Sequence, residues 1–468
     1  NGVVTADSVT TSLIGEAELI VDKRVVGGGP VAPGDEIEYV ISVSNTDSSD
    51  DVFGAEVEDF FPLPIDSLTW SCQATTPVPG DIEPLMTAGA PDTAGDAVVI
   101  SGDGRHVYVA GTEPDSVFAY DRTATPGAGF GNVTLIETET NGIDDGGDAG
   151  GVVSGMNGPR DLLLDPLGRV LYVLSFDAVD GASLAAFARV TDPVAPTFGE
   201  LTFLGAISAD LPAEPTGLAV TGERIYVAGL GNPDPGATPG NSDPIIAIFS
   251  RDPVSSLPVI DSIRTAEVPA DVRDLAVDAA EEYLFAGGDE LRMYTIDEAQ
   301  PGVPAGRLTA VSQLTDGDAL FGMAMAPDQP QLVARSISGG SGRLVVVDYL
   351  DAMDDPALSS AFAFDAGDMT LPAGVTDPLL GPGAISIAPD GEHLSGVSAD
   401  ESALFTFRRD PGSGDLVFQE IDVVDQPSTG VNGGLREAAD LVHAPDGRHL
   451  LIAAGADDPI AVPPATNP

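Results

Sequence analysis

Lysine is almost missing from this chain: Lys23 is the only one in 468 residues. Cysteine is as scarce, and the single Cys72 excludes an internal disulfide; its setting, TWSCQA, reads as a buried free thiol. Histidine occurs four times and tryptophan once. No apolar run is long enough to cross a membrane as a helix. No segment keeps apolar residues at helical spacing, which argues against a helical solenoid. Walker loops, zinc-ligand spacings and dinucleotide-binding glycine fingerprints are absent, as are serine-centred nucleophile elbows.

What the chain has in excess is acid: 74 Asp and Glu against 19 Lys and Arg, a net charge of −55. With 43% hydrophobic residues it still has apolar runs enough for a core, so the acidity does not mean disorder. Such a field repels nucleic acid, and the basic-aromatic stretches of a nucleic-acid binder are missing. An acidic, lysine-poor shell suits a halophilic or marine setting, where salt screens self-repulsion. The length accommodates one large ring and one small domain.

One phrase recurs seven times: SGDGRHVYVAG (101–111), DPLGRVLYVLS (165–175), TGERIYVAG (221–229), DAAEEYLFAG (278–287), APDQPQLVARS (326–336), APDGEHLSGVS (388–398) and APDGRHLLIAAG (444–455). In each, an apolar run enters a polar turn and a second run leaves, which is a hairpin signal. A third run follows six of them, among them SVFAYDR (116–122) and SALFTFR (402–408), and then a weaker fourth such as VTLIE (133–137). Four antiparallel strands per unit, at a period of roughly 50 to 65 residues, match a propeller blade with long loops. The last unit has only DPIAVPPA (458–465) after its hairpin. IEPLMTA (82–88), just before the first unit, is the candidate for its missing outer strand, leaving no open edge. The expected fold is all-β: a seven-bladed propeller over 82–468.

The strings HVYVAG and RIYVAG and the PDG turns resemble the repeats of YVTN or lactonase-like propellers found in bacterial surface and lactonase-like proteins. The resemblance spans about 82–465 and implies the fold; it says little about function, because propellers host hydrolases, binders and scaffolds alike. Residues 17–75 alternate like half-buried strands and resemble the conserved-repeat, Ig-like β-sandwich domains of bacterial surface proteins, with Lys23, the PGD turn, Asn45 and Asp59 as matching features. After Trp70 the expected further strands are replaced by TTPVPGD (75–81), so the sandwich is short of strands and 76–81 reads as a linker. Residues 1–16 form an N-terminal arm, either the sandwich's own extra strand or a donor strand for another molecule. Lys23, Asn45 and Asp59 carry the amine, amide and acid that an intramolecular isopeptide bond needs, with an ordinary ion pair as the alternative.

Candidate sites are few. His106, His393 and His449 follow the hairpin turn in their repeats, a position that blade architecture explains; His443 lies in a first strand, nearest the ring's centre. Arg160, Arg273 and Arg436 are the best inward-facing cations, each followed by an acid with which local ion pairing is expected. Asp144, Asp145 and Asp148, in the loop NGIDDGGDAGG (141–151), could wrap calcium, although the spacing is not that of an EF-hand. No catalytic residue and no other cofactor is expected.

The leading expectation is a non-catalytic, extracellular structural or cell-surface protein, a filament subunit that self-associates into a homopolymer by strand exchange, with no nucleic acid and no membrane span. Starting at Asn1 without Met is what an exported protein would show after signal removal, and a cloned fragment would look identical. The alternatives are a lactonase-like hydrolase or small-ligand binder at the propeller mouth, and an adhesin with a surface glycan or protein partner.

Overall fold

The computed structural model describes residues 95–462 apart from loop segments such as 145–150, 232–242, 298–305 and 424–434, together with strands at 8–10, 19–25, 39–45, 56–58 and 86–88. The chain divides into two compact units, Asn1–Pro79 and Gly80–Pro468.

The second unit is an all-β propeller. Six four-stranded antiparallel sheets each use consecutive strands, at 95–140, 159–207, 214–264, 274–314, 319–365 and 385–423; they are blades 1 to 6. Six complete blades thus stand where the sequence counts seven repeats. The seventh repeat shares its sheet: Ala438–His443, Leu450–Ala454 and Ile460–Val462 are joined at the outer edge by Met86–Ala88, with Ala461 opposite Thr87. That is the edge at which the sequence places 82–88. Helix is limited, among the described residues, to one 3-10 turn at Ala366–Asp368.

Burial explains why the recurring phrase is so legible. A second or third strand has blade neighbours on both faces, so it reads as a continuous apolar run, as in His106–Thr112 and Val170–Asp177. The fourth strand lies at the rim and alternates; along Leu308–Leu314 every second residue is exposed and those between are half-buried or buried. That alternation is why the fourth run is the weakest in the sequence.

The apolar core is divided into wedges between blades. One wedge packs Tyr108 and Ala119 of blade 1 against Leu171 and Phe187 of blade 2; another packs Tyr226 and Ile246 of blade 3 against Leu284 and Tyr294 of blade 4. A third sets Val107, Phe118 and Tyr120 of blade 1 against Leu451 and Ala453, so the last sheet packs on the first blade. The ring closes through this wedge as well as through the shared strand.

In the first unit, Leu19–Val25 pairs with Tyr39–Asn45, and Ser8–Thr10 pairs with Glu56–Glu58, both antiparallel. These two-stranded sheets are described; the remainder of the expected sandwich lies outside the described residues.

Candidate functional site

Antiparallel connectivity gives the ring two different ends. At the turn end lie the links between first and second strands and between third and fourth strands. At the mouth end, second strands turn into third strands and each blade passes to the next.

The turn end is a belt of reciprocal bonds between blades. The arginine closing the third strand donates to the glycine carbonyl of its own first turn and reaches an aspartate of the preceding blade. Arg409 donates to Gly391 O at 2.7 Å and to Asp328 at 2.9 Å, and Arg251 to Gly222 O and to Asp165 at 2.7 Å. Arg122 donates to Gly104 O at 2.9 Å and bonds Asp446 and His449 of the last sheet. Arg189 donates to Gly168 O at 3.0 Å and to Tyr108 at 2.8 Å, and bonds His106. Burial alone would raise the Asp446 carboxyl, but the bonds from His449 and Arg122 together hold it well below the usual carboxylate range. The tyrosine of each YV pair ties the following blade: Tyr108, Tyr172 and Tyr226 donate to the carbonyls of Gly199, Ser256 and Gly306. At Gly199 a Cβ would overlap the His106 ring. His106 and His449 therefore serve blade packing, as their repeat position implies.

Four residues before each first turn, the inner strands carry Ala97, Asp161, Gly217, Asp274, Gly322, Ala384 and Asp440 in ring order. The three aspartates alternate with small residues, and each accepts an amide from the next blade: Leu218 N to Asp161 at 3.2 Å, Met323 N to Asp274 at 2.8 Å, and Val98 N to Asp440 at 2.8 Å. The strands approach too closely for a larger residue between them; a Cβ on Gly217 would lie 3.0 Å from Leu275 N and 3.1 Å from Asp274 Cα. Burial and the neighbouring Asp440 and Asp274 carboxylates push Asp161 up to about 8, and burial pushes Asp440 up to about 6.

One position earlier, at the mouth, the inner strands of blades 1 to 5 present Asp96, Arg160, Thr216, Arg273 and Phe321. A β-bulge falls at this position in blades 1, 2 and 3, which re-aims the side chain out of the ladder. Asp96 accepts from the Thr112 hydroxyl, while its Oδ2 is buried with no hydrogen-bond partner. Burial raises its proton affinity, with Asp115 adding to the shift and Thr112 and Arg160 opposing it. Arg160 is exposed and lies over the Phe176 ring at 4.7 Å. Thr216 donates to Val272 O at 2.8 Å. Arg273 donates through Nε to Asp271 at 2.8 Å and lies 5.7 Å from the Phe321 ring. Behind that ring Arg335 is fully buried, donating to the carbonyls of Gly383, Val397, Pro378 and Gly381. Burial lowers it to about 10, so it stays charged at neutral pH. A carboxyl of raised proton affinity beside a free-standing guanidinium can take a proton from water and steady a developing oxyanion.

The sequence-predicted residues divide sharply. Arg160 and Arg273 belong to the mouth, but neither pairs with the acid that follows it: Arg160 stacks on Phe176, Arg273 binds the preceding Asp271, and Asp161 and Asp274 bond the next blade instead. Arg436 is exposed before the last inner strand. His443 is buried and neutral between Ser386 at 3.0 Å and Ser395 at 3.3 Å, with burial lowering it to about 4. Asp144 is exposed; Asp145 and Asp148 lie outside the described residues, and among those described no group of three His, Cys, Asp or Glu side chains could hold a metal. Lys23 stands opposite Ile41 and Asn45 opposite Leu19, while Asp59 lies outside the described residues. Asp96, Asp161, Asp274 and Asp440 were missed as sites. For the last three the signal was present, an acid four residues before the turn in RDLLL, RDLAV and ADLV, but it reads as the ion-pair partner of a nearby arginine; Asp96, five residues before its turn, shares no such pattern.

The fold and its repeating sheets define a β-propeller. No protein-family model matches the chain, and no curated protein does. Among solved structures, the chain is similar to a 6-phosphogluconolactonase candidate from Bacteroides fragilis (16% identity, TM-score 0.52, covering 77% of this chain and 87% of that one). It is also similar to the periplasmic gluconolactonase of Pseudomonas aeruginosa (18%, TM-score 0.50, 77% and 88%) and to a 6-phosphogluconolactonase candidate from Bacteroides uniformis (15%, TM-score 0.50, 76% and 88%). At these identities the likeness establishes the fold. These neighbours overturn the expectation of a non-catalytic filament subunit. The arm gives that expectation no support either, since Ser8–Thr10 pairs with Glu56–Glu58 of the same chain.

Proposed function

We propose that this protein is a lactonase-like hydrolase that binds a small polar ligand at the mouth of the ring and opens a cyclic ester. The observation that carries the reading is the mouth arc, in which Asp96 combines a buried, unpartnered Oδ2 and raised proton affinity with Arg160 on the next inner strand. In the proposed reaction Asp96 takes a proton from water as the oxygen attacks the ester carbonyl. Arg160 steadies the oxyanion. Collapse expels the ring oxygen, which receives the proton, and the product is a hydroxy acid. The lactonase names of the fold neighbours support this choice of ester. We count the shared sheet as a seventh blade, with Gly80–Pro468 as the working unit and Asn1–Pro79 as a separate domain. A salt-rich extracellular setting accords with the net charge of −55.

The test is hydrolysis of a panel of sugar-acid lactones, beginning with gluconolactone, followed by pH-stat titration of released acid. Wild-type turnover that Asp96→Asn abolishes and Arg160→Ala weakens supports the assignment. Ligand binding without turnover, by calorimetry, would move the reading to a small-ligand binder. Neither turnover nor binding across the panel would overturn it.

A further inference from the structure

We propose that Asp161, Asp274 and Asp440 act as a proton-controlled set of latches that holds the inner strands of the ring together, with Asp440 fastening the last sheet to the first blade. The geometry is the same at each site. One carboxylate oxygen accepts from the next blade, through the amides of Leu218, Met323 and Val98. The aspartate also accepts the amide of its own successor, Leu162, Leu275 or Leu441. The Asp440 to Val98 bond joins residues 342 apart in sequence, across the seam where the last sheet meets the first blade.

Two opposing forces act on these groups. The amides favour the charged carboxylate, which is the better acceptor. Burial and mutual repulsion favour the proton, because all three carboxyls are buried and Asp161 feels both Asp440 and Asp274. Among the described residues the adjoining inner strands bring no cation against them: Arg160 lies on Phe176, Arg273 binds Asp271, and His443 is held between Ser386 and Ser395. Asp96, one position away, adds another acid with raised proton affinity, and Glu214 is exposed at the start of its strand. The three carboxyls therefore take up protons on folding.

The sign follows from those directions. A carboxyl with a folded pKa above its unfolded value contributes stability that is fully present below the unfolded value and is lost as pH rises through the folded one. For Asp440 the window runs from the ordinary carboxylate value of 3.8 to about 6, and for Asp161 from 3.8 to about 8. The ring should be tightest in mild acid and loosen toward alkaline pH.

The experiment measures the urea midpoint of the full chain from pH 4.5 to 9, at fixed high salt, for wild type, Asp161→Asn and Asp440→Asn. The expected result is a wild-type midpoint that falls across this range. Asp161→Asn should lose most of the decline above pH 6, and Asp440→Asn part of the decline below it. Declines of equal slope in all three proteins would overturn the proposal. Should an asparagine variant fail to fold, infrared difference spectra of wild type decide. A protonated-carboxyl band that persists at pH 7 and disappears by pH 9 supports the latch, and its absence at pH 7 refutes it. Neither readout depends on lactone hydrolysis, so the latch and the proposed reaction stand or fall separately.

Discussion

The two ends of the ring use the same residue types to opposite effect. At the turn end, Arg122 and Arg409 are buried, each tied to a glycine carbonyl of its own turn and an aspartate of the preceding blade. At the mouth, Arg160 is exposed over an aromatic face and Asp96 keeps an oxygen without a partner. Polar groups that satisfy one another stabilise a fold; an unsatisfied buried carboxyl beside an exposed guanidinium marks a candidate site. The comparison separates structure from candidate chemistry in a protein whose repeats would otherwise make every arginine look alike.

The comparison can be broken by substitution. The largest effect is expected from Arg409→Ala, which strands Asp328 and the Gly391 carbonyl; a loss of about 3–5 kcal/mol is expected for a broken buried pair and is read from urea unfolding. A loss below about 1 kcal/mol would mean that the belt is not structural in this sense. Next is Asp96→Asn: removing a general base should lower turnover of a responsive lactone by about 10²–10⁴-fold. Its unfolding midpoint should stay near that of wild type, and unchanged turnover would remove Asp96 from the mechanism.

A smaller change is expected at Tyr226→Phe, which leaves the Gly306 carbonyl without its donor and should cost about 1–2 kcal/mol. Arg160→Ala should change stability by no more than about 0.5 kcal/mol, as befits an exposed side chain, while weakening turnover. Equal destabilisation by Arg160→Ala and Arg409→Ala would erase the distinction between the two ends. The subtlest effect is that of salt. With a net charge of −55, the melting temperature should rise from low to molar sodium chloride as the Debye length shrinks to about 3 Å. A monotonic fall would exclude a salt-adapted surface.

Much of the belt was legible because it repeats. GRHVYVAG contains the turn glycine whose carbonyl takes an arginine, the histidine that leans on the next blade's arginine, and the tyrosine that ties the next blade's outer loop. The mouth and the channel were less so. Asp161 follows Arg160 directly, and in a linear reading adjacent opposite charges look like a local pair. A strand sends neighbouring side chains to opposite sides, and the bulge at Arg160 separates them further, so each finds a partner elsewhere.

By itself the sequence determined the all-β propeller class, the strand pattern of the repeats and the edge at which 86–88 enters the last sheet. Those features rest on local burial and turn chemistry repeated many times, and repetition lifts a weak signal above the noise of any one segment. Only the tertiary structure decided which charged groups are spent on packing and which stay open. That depends on residues far apart in the chain, such as Asp440 and Val98, meeting across blade boundaries that no local pattern encodes.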